Sequence, residues 1–116
     1  MPRIVEIRSY NLKPDTRETF DKIVRTTARP MLERHGTDVV AAGRSLAEEN
    51  SYYLMRAYRD VADRDASQNA FYGSAAWREG PREAVLACIE NCTSIVLAID
   101  EATIDGLRDR VAQAAL

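Results

Sequence analysis

Two stretches of the sequence carry the same combination of residues, an arginine followed two positions later by a tyrosine. The pairs are Arg8 with Tyr10 and Arg56 with Tyr58. A guanidinium group binds carboxylates and phenolates through charge-assisted hydrogen bonds, and a phenol both donates and accepts hydrogen bonds. If both pairs face one space, they are candidate binding residues for a small anionic or phenolic ligand. The alternative is polar packing at an interface, with Glu6 and Asp60 neutralising the arginines, because buried arginines are usually paired.

Two further candidate residues belong to the stretch SQNAFYGSAAWREGPREAVLACIE, which spans residues 67–90. Tyr72 and Trp77 lie on either side of Gly73 and Ser74, where a continuous helix is not expected. Their rings could form the wall of a ligand pocket. The alternative is that these rings close a corner between two helices and cover the core at that point.

The other reactive residues do not form a known site. The sequence has no Gly-rich phosphate loop, no G-x-S-x-G and no H-E-x-x-H. His35 is the only histidine, in the last turn of a predicted helix, where a cationic ring favours the C-terminal dipole. Cys88 and Cys92 have a spacing that matches no common metal site and are expected to be buried, reduced thiols. We therefore expect no metal and no cofactor, haem included.

Length and charge restrict the class of protein. The chain has 116 residues, which is one domain over residues 1–116. Its formal charge of −2 argues against a nucleic-acid surface, which would need a basic stripe. It has no apolar run of about 20 residues, so no membrane span is expected. The first residues lack the apolar region of a signal peptide and pass directly into a strand pattern, so a cytoplasmic location is expected.

Alternating side chains predict four strands, which cover residues 4–12, 37–46, 52–60 and 91–99. In the first strand Val5, Ile7 and Ser9 share one face, while Glu6, Arg8 and Tyr10 share the other. In the third strand, Arg56 and Tyr58 likewise share one face.

The segments between the strands have helical spacing. The first helix is expected to begin at the N-cap Asp15, to be kinked near residues 26–29 by Pro30, and to end at Gly36. The second begins at Asp60 and is expected to stop at Gly73 with a positive φ. A short turn over residues 75–79 follows Ser74, and Pro81 at position N1 starts the next helix. A last amphipathic helix is expected over about residues 101–115, with Ile104, Leu107 and Val111 on one face.

The order of these elements is β-α-β-β-α-β with an extra C-terminal helix, which predicts an α+β, ferredoxin-like fold with a four-stranded antiparallel sheet over residues 4–99. Right-handed crossovers place both crossover helices on one face of the sheet. Because each strand has large side chains on both faces, the other face would be an exposed apolar patch in a monomer. A homodimer that packs these faces together is therefore expected.

Three segments of the sequence resemble the NIPSNAP family: EIRSYNLKP, SYYLMRAYRD and, above all, F-Y-G-S-x-x-W-R-x-G-P-R within residues 67–90. The resemblance covers residue 4 to about residue 97. It implies a dimeric α/β barrel built from two ferredoxin-like domains, and a biochemical role that is not settled. The wider group of dimeric α/β barrels includes cofactor-free monooxygenases, isomerases and haem enzymes, so the fold alone does not give the chemistry.

Three functions are consistent with these patterns. The first is a homodimer that binds a small anionic or phenolic ligand in the barrel interior, through Arg8, Tyr10, Arg56, Tyr58, Tyr72 and Trp77. The second is a cofactor-free monooxygenase or isomerase, and the third is a protein-interaction module without internal chemistry. The ligand-binding hypothesis places the arginine face toward the partner subunit and Val5, Ile7 and Met55 next to the helices. An open, Arg- and Tyr-lined cavity would favour the first two functions.

Overall fold

The computed structural model of the chain describes residues 2–108. Its strands are β1 (Arg3–Leu12), β2 (Asp38–Arg44), β3 (Ser51–Tyr58) and β4 (Ile89–Ile99). Its α-helices are α1 (Arg17–Ile23), α2 (Arg29–His35), α3 (Val61–Tyr72), α4 (Ala75–Glu79), α5 (Arg82–Cys88) and α6 (Glu101–Leu107), and a π-helical turn at Val24–Ala28 joins α1 to α2. The last predicted helix is therefore observed as α6, and its expected continuation over residues 109–115 lies outside the described residues.

The four strands form one antiparallel sheet in the order β2-β3-β1-β4. This confirms the ferredoxin-like architecture and the central position of β1 and β3. The register pairs Glu6 with Arg56 and Tyr10 with Tyr52. Since side chains opposite each other in an antiparallel pair lie on the same face, Glu6 and Arg56 are direct neighbours.

The first helical segment is irregular where Pro30 predicted a kink. Pro30 has no N–H, and its ring collides with the carbonyl group four residues earlier in a regular α-helix. The π-helical turn at Val24–Ala28 widens the backbone at that position. Gly36 ends α2 with φ 99°, as predicted. The predicted N-cap is wrong: Thr16 occupies that position and Asp15 has φ 65°, a left-handed conformation that aspartate tolerates.

The stretch over residues 67–90 is helix, short turn and helix, as predicted. Ser74 caps α4 by accepting a hydrogen bond from the Trp77 amide. The prediction of a positive φ at Gly73 is wrong, because its φ is −85° and the chain turns without the left-handed conformation. Pro81 occupies the N-cap of α5 and not position N1, so this helix begins one residue later than predicted. At Gly80 a Cβ atom would lie 2.4 Å from the Ala76 carbonyl oxygen, so close approach of the backbone requires glycine there.

The two faces of the sheet have separate apolar clusters. One face packs against the helices between β1 and β4, with Phe20, Leu32, Leu54, Phe71 and Trp77 in its core. The opposite face packs Val5, Val40 and Ala57 against Ile104 of α6. The prediction that Val5, Ile7 and Met55 lie next to the crossover helices is therefore wrong, because these side chains belong to the cluster beneath α6.

Helix α6 covers only part of that second face. An ionic cluster attaches it: Asp38 accepts hydrogen bonds from Arg108 at 2.6 Å and from Arg3 at 3.0 Å, and Arg3 also contacts Glu101. Beyond α6, Ile95 and Leu97 of the edge strand β4 are 57% and 39% exposed. We call the part that residues 2–108 leave at least partly uncovered the open face, and its residues are Ile7, Tyr53, Met55, Ile95 and Leu97.

Two properties of the described residues bear on the class of protein. None of the helices within residues 2–108 is long and apolar enough to cross a membrane. The same residues contain no group of three or more His, Cys, Asp or Glu side chains that could hold a metal ion.

The close approach at Gly80 leads to a stability prediction. Gly80→Ala should lower the thermal midpoint strongly, because the added Cβ atom would collide with backbone rather than with a movable side chain. Gly106→Ala is the matched control, since nothing lies within 4 Å of the added atom and alanine is favoured by up to about 1 kcal/mol inside a helix. Thermal unfolding by circular dichroism measures both variants. Equal midpoints for the two variants would contradict this account of the corner.

Candidate functional site

The helix-covered face of the sheet contains a buried carboxylate, Glu6, which several cationic and amide groups surround. Its Oε1 accepts a hydrogen bond from Arg56 at 2.5 Å. Its Oε2 accepts hydrogen bonds from Arg64 at 2.5 Å and from Gln68 at 3.0 Å. Glu6 and Arg56 both have 0% exposure. A buried carboxylate requires such partners, because desolvation without them would cost several kcal/mol.

The hydroxyl oxygen of Tyr72 joins two arginines above this carboxylate. It accepts hydrogen bonds from Arg56 at 2.9 Å and from Arg8 at 3.2 Å. Arg8 also donates to Gln68 and Ser94, each at 3.3 Å, while its nearest approach to Glu6 is 3.6 Å. Since both guanidinium groups donate to the Tyr72 oxygen, its own hydrogen points away from them.

The balance of charge in this group favours an additional anion. One carboxylate, Glu6, faces three guanidinium groups, those of Arg8, Arg56 and Arg64. Arg64 has a second acid partner in the exposed Asp65 at 3.0 Å, so the surplus positive charge lies with Arg8 and Arg56. The Nε atom of Arg56 is buried and has no hydrogen-bond partner within residues 2–108.

The titration of these groups follows from their partners. Burial by itself raises the pKa of Glu6, but the Arg56 charge and, after it, the Gln68 hydrogen bond and Arg8 outweigh burial and lower this pKa from 4.5 to about 2. Burial, and then the neighbouring Tyr72, raises the pKa of Tyr10 to about 12. Tyr10 is therefore a neutral phenol at physiological pH, which can donate a hydrogen bond but cannot act as a base.

An open cleft of about 420 Å³ lies beside this network, between α3, α5 and β4. We call it the α3–α5 cleft. Its cationic and polar side chains are Arg8, Gln68, Asn69, Tyr72, Arg82 and Cys92, and its apolar walls are Tyr10, Trp77, Val85, Leu86 and Ile89. Arg82 is paired with the exposed Glu83 at 2.8 Å. The volume of the cleft lies in the range of small-molecule sites, and its lining combines aromatic walls with cationic and polar groups.

Four of the six candidate residues meet at this cleft, namely Arg8, Tyr10, Tyr72 and Trp77. Arg56 and Tyr58 share the same sheet face but are buried behind Tyr72 and Gln68 and do not line the cleft. The predicted direction of the arginine face is wrong, because it lies beneath α3 and not toward a partner subunit. Glu6 is the counter-charge that the sequence suggested, whereas Asp60 caps α3 by accepting a hydrogen bond from the Asp63 amide.

Helix α3 supplies two members of the Glu6 network, Arg64 and Gln68, that were not among the candidates from the sequence. Its N-cap at Asp60 fixes where the helix begins, and residues four apart then lie on one side. Arg64, Gln68 and Tyr72 have this spacing, and all three contact the Glu6 network. The sequence did contain a signal for this: polar side chains four residues apart on a predicted helix, and a glutamate, Glu6, within a predicted strand.

The remaining singled-out residues lie at the edge of the site or outside it. His35 ends α2 as predicted, and its ring packs against Phe71 at 5.5 Å. Both cysteines are free thiols, and Cys88 is buried. Cys92 is exposed and lines the cleft, so the prediction that both thiols are buried is wrong for Cys92. The aromatic corner is compact, with Trp77 5.4 Å from Phe71 and 5.3 Å from Tyr72 between ring centroids.

Comparison with known proteins places these features in a family context. A family model described as NIPSNAP matches residues 5–99. Among solved structures, the chain is similar to an uncharacterized NIPSNAP-like domain protein from Burkholderia xenovorans, with 17% identity, a TM-score of 0.77, and coverage of 85% of this chain and 86% of that one. A NIPSNAP family protein with unknown function from Agrobacterium tumefaciens has 18% identity and a TM-score of 0.75, over 83% and 86% of the two chains.

Another similar structure is that of a protein whose name includes an activity. A putative antibiotic biosynthesis monooxygenase from Bordetella bronchiseptica has 26% identity and a TM-score of 0.67, over 84% of this chain and 96% of that one. The comparison with curated proteins found no match. The similar solved structures agree with the predicted ferredoxin-like fold.

The lowered pKa of Glu6 predicts acid sensitivity. A carboxyl group whose pKa falls from 4.5 in the unfolded chain to about 2 in the folded protein stabilises the fold fully above pH 4.5 and loses this contribution as the pH falls toward 2. The contribution is about 3 kcal/mol at neutral pH. Glu6→Gln should lower the thermal midpoint at pH 7 and reduce its change between pH 4.5 and 2, as measured by calorimetry.

The exposed Glu48, in the loop between β2 and β3, provides the control. Glu48→Gln should keep both the midpoint and its pH dependence. If the Glu6 variant does not fold, the thermal midpoint of the wild type is measured against pH instead. A midpoint that stays constant from pH 4.5 to 2 would contradict the lowered pKa of Glu6.

Proposed function

The chain belongs to the NIPSNAP family, and we propose that it is a homodimer in which each subunit binds a small anionic or phenolic ligand in the α3–α5 cleft. The observation that carries this proposal is the surplus of positive charge at Arg8, which lines the cleft, and at Arg56, which is buried behind it. Arg8 and Arg56 both donate to the Tyr72 oxygen, while Glu6 is the carboxylate nearest to them.

The proposed ligand contact is Arg8, because it connects the buried network to the cleft. Its side chain is 17% exposed, whereas Arg56 is fully buried. A carboxylate or phenolate beside Arg8 would receive a charge-assisted hydrogen bond and could accept another from the Tyr72 hydroxyl. Arg82 on the opposite wall supplies a second positive charge, which its exposed pair with Glu83 only partly offsets.

The aromatic walls favour a planar ligand. Tyr10, Tyr72 and Trp77 present ring surfaces to the cleft, and stacked or edge-on aromatic pairs add about 0.5–1.5 kcal/mol beyond the burial of area. A small aromatic acid or a phenol meets both requirements, with its charged oxygen at Arg8 and its ring against these walls. We further propose a cytoplasmic location, in keeping with the two free thiols.

Trp77 is the only tryptophan of the chain, so its fluorescence reports on the cleft directly. Benzoate and 4-hydroxybenzoate should change this fluorescence in a saturable way, whereas the neutral analogue benzamide should not. Arg8→Met should weaken benzoate binding by about 10–100-fold, the effect of losing a hydrogen bond to a charged group. Arg8→Lys should retain part of the affinity, since it keeps the charge but not the planar fork.

The matched control is Arg59→Met. Arg59 directly follows the central strand β3, is exposed and does not line the cleft. Its benzoate affinity should equal that of the wild type. If benzoate and benzamide bind with equal affinity, the cleft is not an anion site. If the Arg8 and Arg59 variants bind benzoate with equal affinity, Arg8 is not the contact.

A cofactor-free monooxygenase is the second candidate function. The Bordetella bronchiseptica structure at 26% identity favours it, together with the Tyr72 hydroxyl between two guanidinium groups. Groups of this kind stabilise a developing oxyanion. Oxygen consumption in the presence of hydroquinone, compared between wild type and Arg8→Met, tests this activity. Equal rates would count against it. An interaction module remains as the third candidate if neither ligand binding nor oxygen consumption is found.

The homodimer is proposed to form through the open face. Ile95 and Leu97 add exposed apolar surface next to Ile7 and Met55 on adjacent strands, and such patches commonly mark protein interfaces. A second copy of the chain would cover this face and protect the edge strand β4. The α3–α5 cleft lies on the other side of the sheet, so each subunit would keep its own cleft.

Sedimentation of two charge variants tests the interface. Ile95→Asp should convert the dimer into a monomer, because it places a carboxylate in the centre of an apolar contact. Val61→Asp is the control, since Val61 has almost the same exposure, 54% against 57%, but lies at the start of α3 on the opposite face. The control should remain a dimer. A wild-type chain that sediments as a monomer at micromolar concentration would overturn the proposed assembly.

A further inference from the structure

A second, smaller cavity lies behind the α3–α5 cleft, inside the core. It encloses about 30 Å³. Four residues line both spaces, namely Tyr10, Tyr72, Trp77 and Val85. The wall between the cleft and this inner cavity is therefore one side chain thick. We propose that the inner cavity is a subsite that receives a short apolar substituent of the ligand bound in the cleft, an inference that rests on the proposed function.

The lining of the inner cavity selects apolar groups. Eleven of its twelve residues are aliphatic or aromatic: Tyr10, Phe20, Val24, Ala28, Leu32, Tyr52, Leu54, Phe71, Tyr72, Trp77 and Val85, with Arg29 as the twelfth. The hydroxyl of Tyr52 is engaged with Asp21 at 2.7 Å. A water molecule needs two to four polar partners, so a cavity with this lining stays dry and is a place for carbon atoms.

The π-helical turn creates part of this space. Val24 and Ala28, its first and last residues, both line the inner cavity. Pro30 makes a regular helix unfavourable there, and the widened turn places the small side chain of Ala28 where a larger one would fill the core. Well-packed interiors contain few cavities, so one that adjoins a cleft and borders a backbone irregularity is not expected from ordinary core packing.

The volume sets the size of the substituent. One water molecule requires about 10–15 Å³ on the same measure, so a cavity of about 30 Å³ has room for two or three non-hydrogen atoms. The ligand class is therefore an aromatic acid or phenol with its charged group at Arg8 and a methyl, ethyl or propyl group directed past Trp77 toward Ala28.

Xenon tests whether a guest can enter the inner cavity, independently of any ligand in the cleft. Xenon should shift the methyl NMR signals of Ala28 and Val85 in a saturable way. Ala28→Leu adds three carbon atoms to the cavity and should abolish this response, and Ala28→Val serves in its place if the leucine variant does not fold. Ala62→Leu is the control, because Ala62 is an exposed residue of α3. The absence of a response in the wild type would overturn the subsite.

A series of benzoates with alkyl groups of increasing length at position 3 or 4 tests whether the cavity serves the ligand. Binding, followed by Trp77 fluorescence, should tighten by about four-fold for each added carbon, the value of one buried methylene group. The gain should stop after two or three carbons, when the cavity is full. In Ala28→Leu the gain should disappear while the affinity for benzoate itself stays as in wild type.

The outcomes separate the two proposals. If benzoate binds and the alkyl series gives no gain, the subsite is wrong and the proposed function stands. If no benzoate binds, the proposed function fails, and the subsite fails with it whatever xenon reports. A gain that persists unchanged in Ala28→Leu would place the alkyl group elsewhere and would also overturn the subsite.

Discussion

The buried carboxylate of Glu6 connects the parts of the molecule that the site depends on. It lies on β1, binds Arg56 of β3, and binds Arg64 and Gln68 of α3. A buried ion has few acceptable arrangements, because every missing partner leaves an uncompensated charge that costs several kcal/mol. These hydrogen bonds therefore set the height and rotation of α3 on the sheet. The position of Tyr72, two turns further along α3, follows from that rotation.

The same ionic group sets three guanidinium groups around one buried carboxylate, although the chain as a whole has a charge of −2. The negative charges lie mainly in exposed loops and helix ends, where water screens them. Arg8, at the cleft, and Arg56, buried beneath Tyr72, share one carboxylate. The proposed preference for an anionic ligand therefore rests on this local balance of charge and not on the net charge of the chain.

The two faces of the sheet have different roles. The helix-covered face combines an apolar core with the ionic group, so that packing and the proposed binding site share one layer. Within residues 2–108, the opposite face is apolar and α6 is the helix that packs on it, which the pair of Arg108 and Asp38 helps to hold in place. A sheet with large side chains on both faces needs a cover on both, and one short helix is too small for a four-stranded sheet.

The sequence by itself determined the order of the elements, the antiparallel sheet with β1 and β3 at its centre, the interruption before Pro30 and the family. Each of these follows from a local period or a local steric rule. Alternation also showed that Arg8, Tyr10, Arg56 and Tyr58 share a face. It could not show which face the helices cover, because both faces carry long side chains and the stems of arginine pack like aliphatic residues. Only the tertiary structure decided that α3 lies over the arginines, since this depends on hydrogen bonds between Glu6 and residues about 60 positions away. The separation of Arg8, at the cleft, from Arg56, beneath Tyr72, was decided in the same way, by the packing of a helix whose contacts are distant in sequence.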